Sequence, residues 1–462
     1  MTRALASLLS EFGDAQVLHG ADAVGFEKDW RGQFPGRALA VLQPRTVDEV
    51  QAMLRRCAEW QLDVVPQGGN TGLVGGSTPD ATGREVVLSL KRLNRIRSLS
   101  PTNLTLTAEA GCVLAHLQAA AEGQGLLFPL SLAAEGSCTL GGNLATNAGG
   151  TQVLRWGNAR DLCLGLEVVT ADGALWSDLD GLRKDHRGFN LRDLFIGSEG
   201  CLGVITAAVM KLSPQPRTRI AAWVTLNDLE GALALLRHGR LHLGDELSGF
   251  EAMAGTVQAL LPHLPVPLAP WAVLVELSTQ RDEASAQAQV EAWLHEAWAH
   301  VPGVRSAVIS HSMAQFQDLW ALREQIPAAQ TEAGGNLKHD ISLPLTAIPA
   351  FVRDNGAALA QLCPGVRPMV FGHLGDGNLH YNIAPPVGES LAALREAHGE
   401  AITRCVFDHV AALGGSFSAE HGIGRLRRDE LVRQADPVAL DLMRRVKRAL
   451  DPANRLNPGR VL

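Results

Sequence analysis

In Pro66-Gln-Gly-Gly-Asn-Thr-Gly-Leu-Val-Gly-Gly-Ser-Thr78 a short strand at 63–66 runs straight into a loop with five glycines. Glycine lets a backbone approach a ligand closely, and successive N–H groups in such a loop form an anion nest. The arrangement suits a pyrophosphate. It is not a P-loop, because no Lys-Ser/Thr follows the glycines, and the chain contains no GxGxxG of the nicotinamide type. A tight surface turn is the plain alternative. Two more loops of the same kind follow: Gly136-Ser-Cys-Thr-Leu-Gly-Gly-Asn-Leu-Ala-Thr-Asn-Ala-Gly-Gly150 and Gly197-Ser-Glu-Gly-Cys-Leu-Gly-Val-Ile205. Each alone is weak. Three in the same half of the chain suggest one extended, heavily hydrogen-bonded ligand such as a dinucleotide.

Outward from the first loop, strands and helices alternate. Ala38–Gln43 reads as a strand. Thr46-Val-Asp-Glu49 is a capping box opening a helix with Val50, Met53, Leu54 and Cys57 at helical spacing. Strands are predicted at 86–90 and 104–110, and a helix at about 113–122 ends at Gly123 and Gly125. Residues 165–177 read as a hairpin with Asp172-Gly173 as a two-residue turn. The strand Gly203–Leu212 stops before Pro214 and Pro216, a domain boundary. Beyond it a strand-then-helix unit occurs twice, at 219–225 with 228–237 and at 271–278 with 281–298, as in a sheet covered by helices on one face. The uncharged run 252–275 carries Pro262, Pro265, Pro267 and Pro270, too many for a spanning helix, and reads as an apolar loop leading into a strand. The basic helix Asp441–Leu450 reads as a solvated face.

The chain has 462 residues, about three times a typical domain. Hydrophobic residues make up 46% and charged ones 19%, enough core for a folded protein and too little charge for a disordered one. A formal charge of −7 argues against nucleic acid or an anionic membrane as the main partner. The seven cysteines are scattered without CxxC spacing, so no disulfide framework or thiolate zinc site is expected, and a reducing, cytoplasmic setting fits. The first residues are a poor signal peptide, and with Glu11 and Asp14 too acidic for a transit peptide. The 47 glycines exceed the usual ~7%, and nearly half of them fall in these loops and in the motifs below.

In the second half, Phe371-Gly-His-Leu-Gly-Asp-Gly-Asn-Leu-His-Tyr-Asn-Ile383 puts His373 and His380 on either side of a Gly-Asp-Gly turn. Folded as a hairpin, the two imidazoles come within reach of one ion. Ser418-Ala-Glu-His-Gly-Ile-Gly424 adds Glu420 and His421. Two histidines and a glutamate are a common set for a catalytic divalent metal with open positions. The only tyrosine, Tyr381, is expected to point away from its neighbours His380 and Asn382. His295-Glu296 with His300 resembles a zincin helix, but the second histidine is at i+5, with its ring about 140° away, and that reading is rejected. Arg323 and Lys338 read, on their own, as surface charge.

PQGGNTGLVGGSTP, GSCTLGGNLATNAGG with WGNARDLCLGLEVVTADG, and GSEGCLGVIT resemble the FAD domain of the vanillyl-alcohol oxidase/p-cresol methylhydroxylase family, in its D-2-hydroxyacid dehydrogenase group. The similarity runs from about residue 36 to the end. It implies an α+β chain: a two-part FAD-binding domain at 36–215 after a helical lead-in at 1–35, a substrate (cap) domain with an antiparallel sheet at 216–415, and a segment 416–462 returning to the flavin. FAD contacts are expected from Pro66, Gly68, Gly69, Asn70, Thr71, Gly72 and Ser77 of the first loop. The second loop would add Gly136, Ser137, Gly141, Gly142 and Asn147, the third Gly203 and Ile205, and the C-terminal segment Asn457. Some members attach FAD through a histidine of the first loop; this loop has none, which implies non-covalent FAD. The resemblance places the metal ligands at His373, His380 and Glu420, the base at His421, and substrate contacts at Arg323, Lys338 and Asn382. Zinc is foremost, with manganese and iron also suited to the set. Where hydroxyglutarate-type members carry a threonine four residues after this arginine, the chain has Pro327, which lacks both hydroxyl and N–H.

The reaction so implied is oxidation of a D-2-hydroxyacid, D-2-hydroxyglutarate-like, to the 2-oxoacid by hydride transfer to flavin N5. Electrons would pass to electron-transfer flavoprotein, a quinone or a cytochrome. D-lactate or glycolate oxidation on the same framework is the alternative that Pro327 supports. A non-redox flavin-dependent transferase is remote, because the metal set argues against it, and a binding module without catalysis is more remote still. No nucleic acid and no integral membrane segment are expected, and a homodimer is among the assembly options.

Overall fold

The computed structural model describes residues 3–462. The chain forms two compact units. The first runs to Gly149, resumes over Asn158–Gln215 and is completed by Glu420–Leu462; the second comprises Gly150–Gly157 and Pro216–Ala419.

The first unit holds two main sheets. In one, Ala40–Leu42, Val86–Ser89 and Val64–Gln67 lie parallel, with Val17–Leu18 antiparallel at the edge. The lead-in is therefore only partly helical: after the helix Arg3–Phe12 it adds an edge strand. Val86–Ser89 is buried throughout, as suits a parallel strand covered on both faces. The helix Val47–Glu59 starts where Thr46 accepts the Glu49 N–H, and it buries the four residues its spacing marks. The other sheet is antiparallel, in the order 96–100, 105–109, 204–211, 163–169, 175–178. Its edge strand Ile96–Ser100 carries no apolar alternation and was not legible. The turn near Asp172 has three residues rather than two. Val169 pairs with Leu175, the Thr170 N–H reaches the Ala174 carbonyl, and Gly173 takes φ +78°. A left-handed glycine closing a three-residue loop is the next hairpin solution after the two-residue turn.

The C-terminal segment is stitched into this unit. Its helix is longer than expected, Pro437–Leu450, capped by Asp436. One residue of the supposedly solvated basic face is buried. Lys447 donates to the carbonyls of Cys201 (2.8 Å) and Leu456 (2.8 Å) and to Asp451 (2.6 Å). Asp451 also takes the N–H groups of Arg455 and Leu456, and Val64 donates to the Arg455 carbonyl, so the strand that feeds the first glycine loop is tied to this turn.

The second unit is one seven-stranded antiparallel sheet with helices. Its strands are β1 (Thr218–Leu226), β2 (Leu247–Ala254), β3 (Trp271–Thr279), β4 (Val304–Ile309), β5 (Asp340–Ser342), β6 (Arg367–Gly372) and β7 (Asn378–Ala384), in the order β4-β1-β3-β2-β6-β7-β5. The start of the uncharged run is not loop: 252–254 ends β2, and a short helix, Gly255–Gln258, follows. The helices are α1 (Leu229–His242), α2 (Glu283–His300), α3 (Met313–Glu332), α4 (Ile348–Leu362) and α5 (Leu391–Ala412). α3 covers one face, against Trp223, Met253, Leu274 and Phe371. α1 and α2 pack on the other face, and α4 lies under β7, where Phe351 meets Tyr381 edge-on. Tyr381 points away from the alternate residues His380 and Asn382, as the period of two requires. Among the described residues no helix is long and apolar enough to cross a membrane. All seven cysteines are unpaired.

Lys447→Met strips a buried carboxylate of its cation, and removal of one partner from a buried pair is costly. Urea unfolding of the variant is expected to show a loss of about 3 kcal/mol.

Candidate active site

Within the first unit the three glycine loops meet around one cavity of 910 Å³, open mouth included. Of the residues expected at a flavin, Pro66, Gly68, Gly69, Asn70, Thr71, Gly72 and Ser77 line it. So do Gly141, Gly142, Gly203 and Ile205. The glycines serve two ends. A side chain on Gly68 would strike Thr139 Oγ1 at 2.4 Å and one on Gly69 would strike the Ser137 carbonyl at 2.2 Å, so these two let the first and second loops touch. Gly72 faces open space, which leaves backbone bare toward the cavity. Thr139 Oγ1 is buried without a hydrogen-bond partner and lines the same cavity. An orphaned hydroxyl beside bare backbone fits a phosphate- and ring-bearing ligand.

Four expected contacts lie elsewhere. Ser137 lines a neighbouring cavity with Gly69 and Thr139, and a side chain on Gly136 would meet only open space. Asn147, at φ +49°, accepts the Arg160 N–H, and Asn457 donates to the carbonyls of Gly76 and Glu199. Both asparagines brace loops rather than face the cavity.

Glu199, inside the third loop motif, is a residue the sequence reading passed over. Its carboxylate accepts N–H bonds from Ile423 (2.7 Å) and Gly424 (2.9 Å), and a side chain on Gly422 would collide with it at 2.8 Å. Burial pushes the Glu199 carboxyl above the usual range, against the pull of those two N–H groups. This clasp fixes the segment that begins with His421, which lines the cavity.

In the second unit β6 and β7 form the hairpin expected around Gly375-Asp-Gly377. Phe371 pairs with His380 and Met369 with Asn382. His373 and His380 stand with ring centroids 5.5 Å apart. Beyond β5 the chain returns alongside it: Ser416 and Ser342 exchange backbone bonds, and the Ala419 N–H reaches the Asp340 carbonyl at 3.3 Å. The next residue, Glu420, opens the last segment of the first unit.

Each histidine faces a carboxylate on its Nδ1 side: Glu251 of β2 at 2.6 Å from His373, Asp340 of β5 at 3.9 Å from His380. At 2.6 Å the Glu251 carboxylate fixes the His373 tautomer and turns its other nitrogen outward, the arrangement that metal-binding histidines use. The paired imidazoles of this hairpin fit a divalent ion of the zinc, manganese or iron kind. Sequence reasoning missed Glu251, which sits fully buried in an apolar strand.

Glu251 also binds Arg323, whose Nε lies 2.8 Å from Oε2 and whose guanidinium sits 4.8 Å over the Phe371 ring. Arg323 is therefore not the surface charge it reads as alone. Asn382 is buried and donates to Gln330 Oε1 at 2.9 Å, while Gln330 Nε2 is buried without a partner. Gln330, two turns after Arg323, shares the α3 stripe that faces β7. Lys338 is exposed. Pro327 lies inside α3, between Arg323 and Gln330.

Burial would raise the Glu251 carboxyl, but His373 and Arg323 overturn that and hold it at about 2, against an ordinary 4.5. A carboxyl depressed on folding stabilises above its unfolded value and loses that contribution as pH falls through the folded one. Acid titration of stability is therefore expected to show a Glu251-dependent decline between pH 4.5 and 2. That component should vanish in Glu251→Gln, and an identical acid limb in the variant would refute it.

Comparison with known proteins adds the following. Residues 38–177 match the family described as FAD binding domain, and 215–461 that of FAD linked oxidases, C-terminal domain. The chain is 41% identical to the D-2-hydroxyglutarate dehydrogenase, mitochondrial, of Bos taurus, over 94% of this chain and 78% of that protein. It is 37% identical to the D-2-hydroxyglutarate dehydrogenase of Xanthomonas citri pv. viticola, over 96% and 93%. Crystalline p-cresol methylhydroxylase with substrate bound superposes with a TM-score of 0.75 over 99% of this chain and 96% of that one, at 17% identity, a likeness of fold alone.

Proposed function

The chain belongs to the FAD-linked oxidases, in the D-2-hydroxyglutarate dehydrogenase branch, and on that footing we propose that its substrate is D-2-hydroxyglutarate or a close analogue, held at a divalent metal by His373, His380 and Glu420. The chain is an FAD-dependent dehydrogenase acting on the CH–OH group of a D-2-hydroxyacid. When bound, FAD supplies the hydride acceptor and the divalent ion a Lewis acid that lowers the pKa of the substrate hydroxyl. The observation that carries the reading is the pair His373–His380, two imidazoles with ring centroids 5.5 Å apart on one hairpin, the first braced by the buried Glu251 carboxylate.

The chain's own residues then divide the work. His421 takes the C2 hydroxyl proton, its position held by the Glu199 clasp two residues on. The Nη groups of Arg323 and the Lys338 ammonium hold carboxylates, a fork and a point charge respectively. Asn382 and Gln330 present a neutral amide pair on the same face, and the unpartnered Gln330 Nε2 is a donor for a substrate oxygen. Glu251 holds the His373 ring and the Arg323 fork together, so substrate orientation and metal geometry share one anchor. FAD is held non-covalently, since the cavity-lining stretch of the first loop offers no histidine. Zinc is the preferred ion, electron-transfer flavoprotein, a quinone or a cytochrome the acceptor, and the reducing cytoplasm the setting.

Pro327 favours a second reading, a smaller substrate such as D-lactate or glycolate, because the position offers no hydroxyl to a distal carboxylate. Stopped-flow reduction of the flavin by D-2-hydroxyglutarate, D-malate, D-lactate and glycolate separates the two, with the diacids expected to reduce it fastest.

His421→Asn is expected to slow flavin reduction by ~10² or more with FAD still bound, and a rate near wild type would remove the base assignment. Chelation is expected to abolish reduction while leaving the flavin spectrum in place; full activity after chelation would remove the metal from the proposal. Glu251→Gln should weaken zinc affinity about 10- to 100-fold, measured by competition with a chromophoric chelator.

A further inference from the structure

On the sheet face away from α3, α1 and α2 pack side by side. His238 and His242 stand one turn apart on α1 with ring centroids 4.1 Å apart and ring planes 25° apart. Glu296 of α2 reaches across to both. Its Oε2 is 3.3 Å from Nδ1 of His242 and 4.0 Å from Nε2 of His238. One ligand atom from each of the three residues falls within 4.8 Å of the other two. His300 follows Glu296 by one turn and lies on the same side of α2.

We propose that His238, His242 and Glu296 form a second divalent transition-metal site, with His300 as a further donor, and that an ion of the zinc class bound there clamps α1 to α2.

The donor chemistry selects the ligand. Two imidazoles and a carboxylate suit zinc, nickel or copper, whereas magnesium and calcium prefer all-oxygen sets. Around a tetrahedral ion with bonds of 2.0–2.1 Å, neighbouring donors stand about 3.3–3.4 Å apart. The His242–Glu296 edge already has that length, and the His238–Glu296 edge must shorten by about 0.6–0.7 Å.

The site is half-built on rigid ground. His238 is mostly covered, its side chain 12% exposed, and packs toward Trp293 of α2, with Nδ1 buried and without a partner. That nitrogen lies inward while Nε2 looks to Glu296, so the ring is oriented before any ion arrives. His242 and Glu296 are exposed, with side chains 43% and 52% accessible, which gives an ion a direct path from solvent and room for water at its open positions. From the rejected zincin pattern Glu296 is retained, joined by two histidines of the neighbouring helix and, as the further donor, His300; His295 takes no part.

An ion that binds the folded chain and not the unfolded one raises stability by mass action, so zinc should protect this helix pair. The test is isothermal titration of ZnCl2 alone into the chelator-treated FAD holoenzyme, in wild type, His242→Asn and Glu296→Gln. Both substitutions are at exposed positions outside the catalytic face, so the flavin spectrum and flavin reduction should match wild type. Each variant is expected to lose one equivalent of zinc, or to bind it at least tenfold more weakly. Equal stoichiometry and affinity in all three proteins would overturn the proposal, as would a wild type that takes up no zinc sensitive to these positions. The comparison is between proteins with an intact His373–His380–Glu420 set, so its outcome is separate from that of the catalytic metal.

Discussion

A carboxylate with no exposed surface must be compensated where it stands, and the catalytic face of the second unit is arranged around one such group, Glu251. Its two oxygens are divided between an imidazole of the β6–β7 turn and a guanidinium on α3. Loss of either partner would leave charge buried in an apolar strand, at a cost of about 3–5 kcal/mol. The ring and the fork are therefore fixed by the same group. Strand register decides where that group lies: Glu251 is opposite Leu274, and two residues on Met253 is opposite Phe371, whose other neighbour is His380. Alternation along three adjacent strands thus brings Glu251, Phe371, His380 and Asn382 to one surface.

What the sequence made legible follows from local rules. Glycine loops show themselves because few backbones need so many bare positions in order, and eleven of the fifteen expected flavin contacts line the cavity. The Gly-Asp-Gly turn announces a hairpin because two strands joined so tightly can hardly do otherwise. Glu251 left no such mark. A single carboxylate within Leu247–Ala254 has no partner at a fixed spacing, and Arg323 and His373 lie 72 and 122 residues away. The one local hint is a charge inside a strand buried along its length. Lys447 was misread for the complementary reason, since a basic helix looks solvated until the turn that receives one of its lysines is in place. Glu199 was quoted within a flavin loop, yet its partners Ile423 and Gly424 are more than two hundred residues distant.

Pro327 acts on the same surface through the backbone. In an α-helix the carbonyl of residue i−4 receives the N–H of residue i, and proline has none. The carbonyl so deprived belongs to Arg323. One turn on, the Thr331 hydroxyl donates to the carbonyl of Pro327 itself at 2.9 Å, which does not replace the bond Arg323 has lost. The departure from the hydroxyglutarate-type pattern therefore does more than delete a hydroxyl: it alters the helical support under the residue expected to grip a carboxylate, while Gln330, one turn later, puts an amide on the same stripe.

The path of the chain has a consequence for its biosynthesis. It leaves the first unit at Gly149, returns at Asn158, leaves again at Gln215 and comes back at Glu420. Everything the ribosome makes between Pro216 and Ala419 belongs to the second unit, which can close its sheet while the first still lacks Lys447, Asn457 and the Ile423–Gly424 amides that Glu199 holds. The flavin loops thus remain unbraced until the last-made segment arrives. A chain released at residue 419 would hold every strand of the second unit, and a first unit with its glycine loops laid out, its clasp empty and His421 absent.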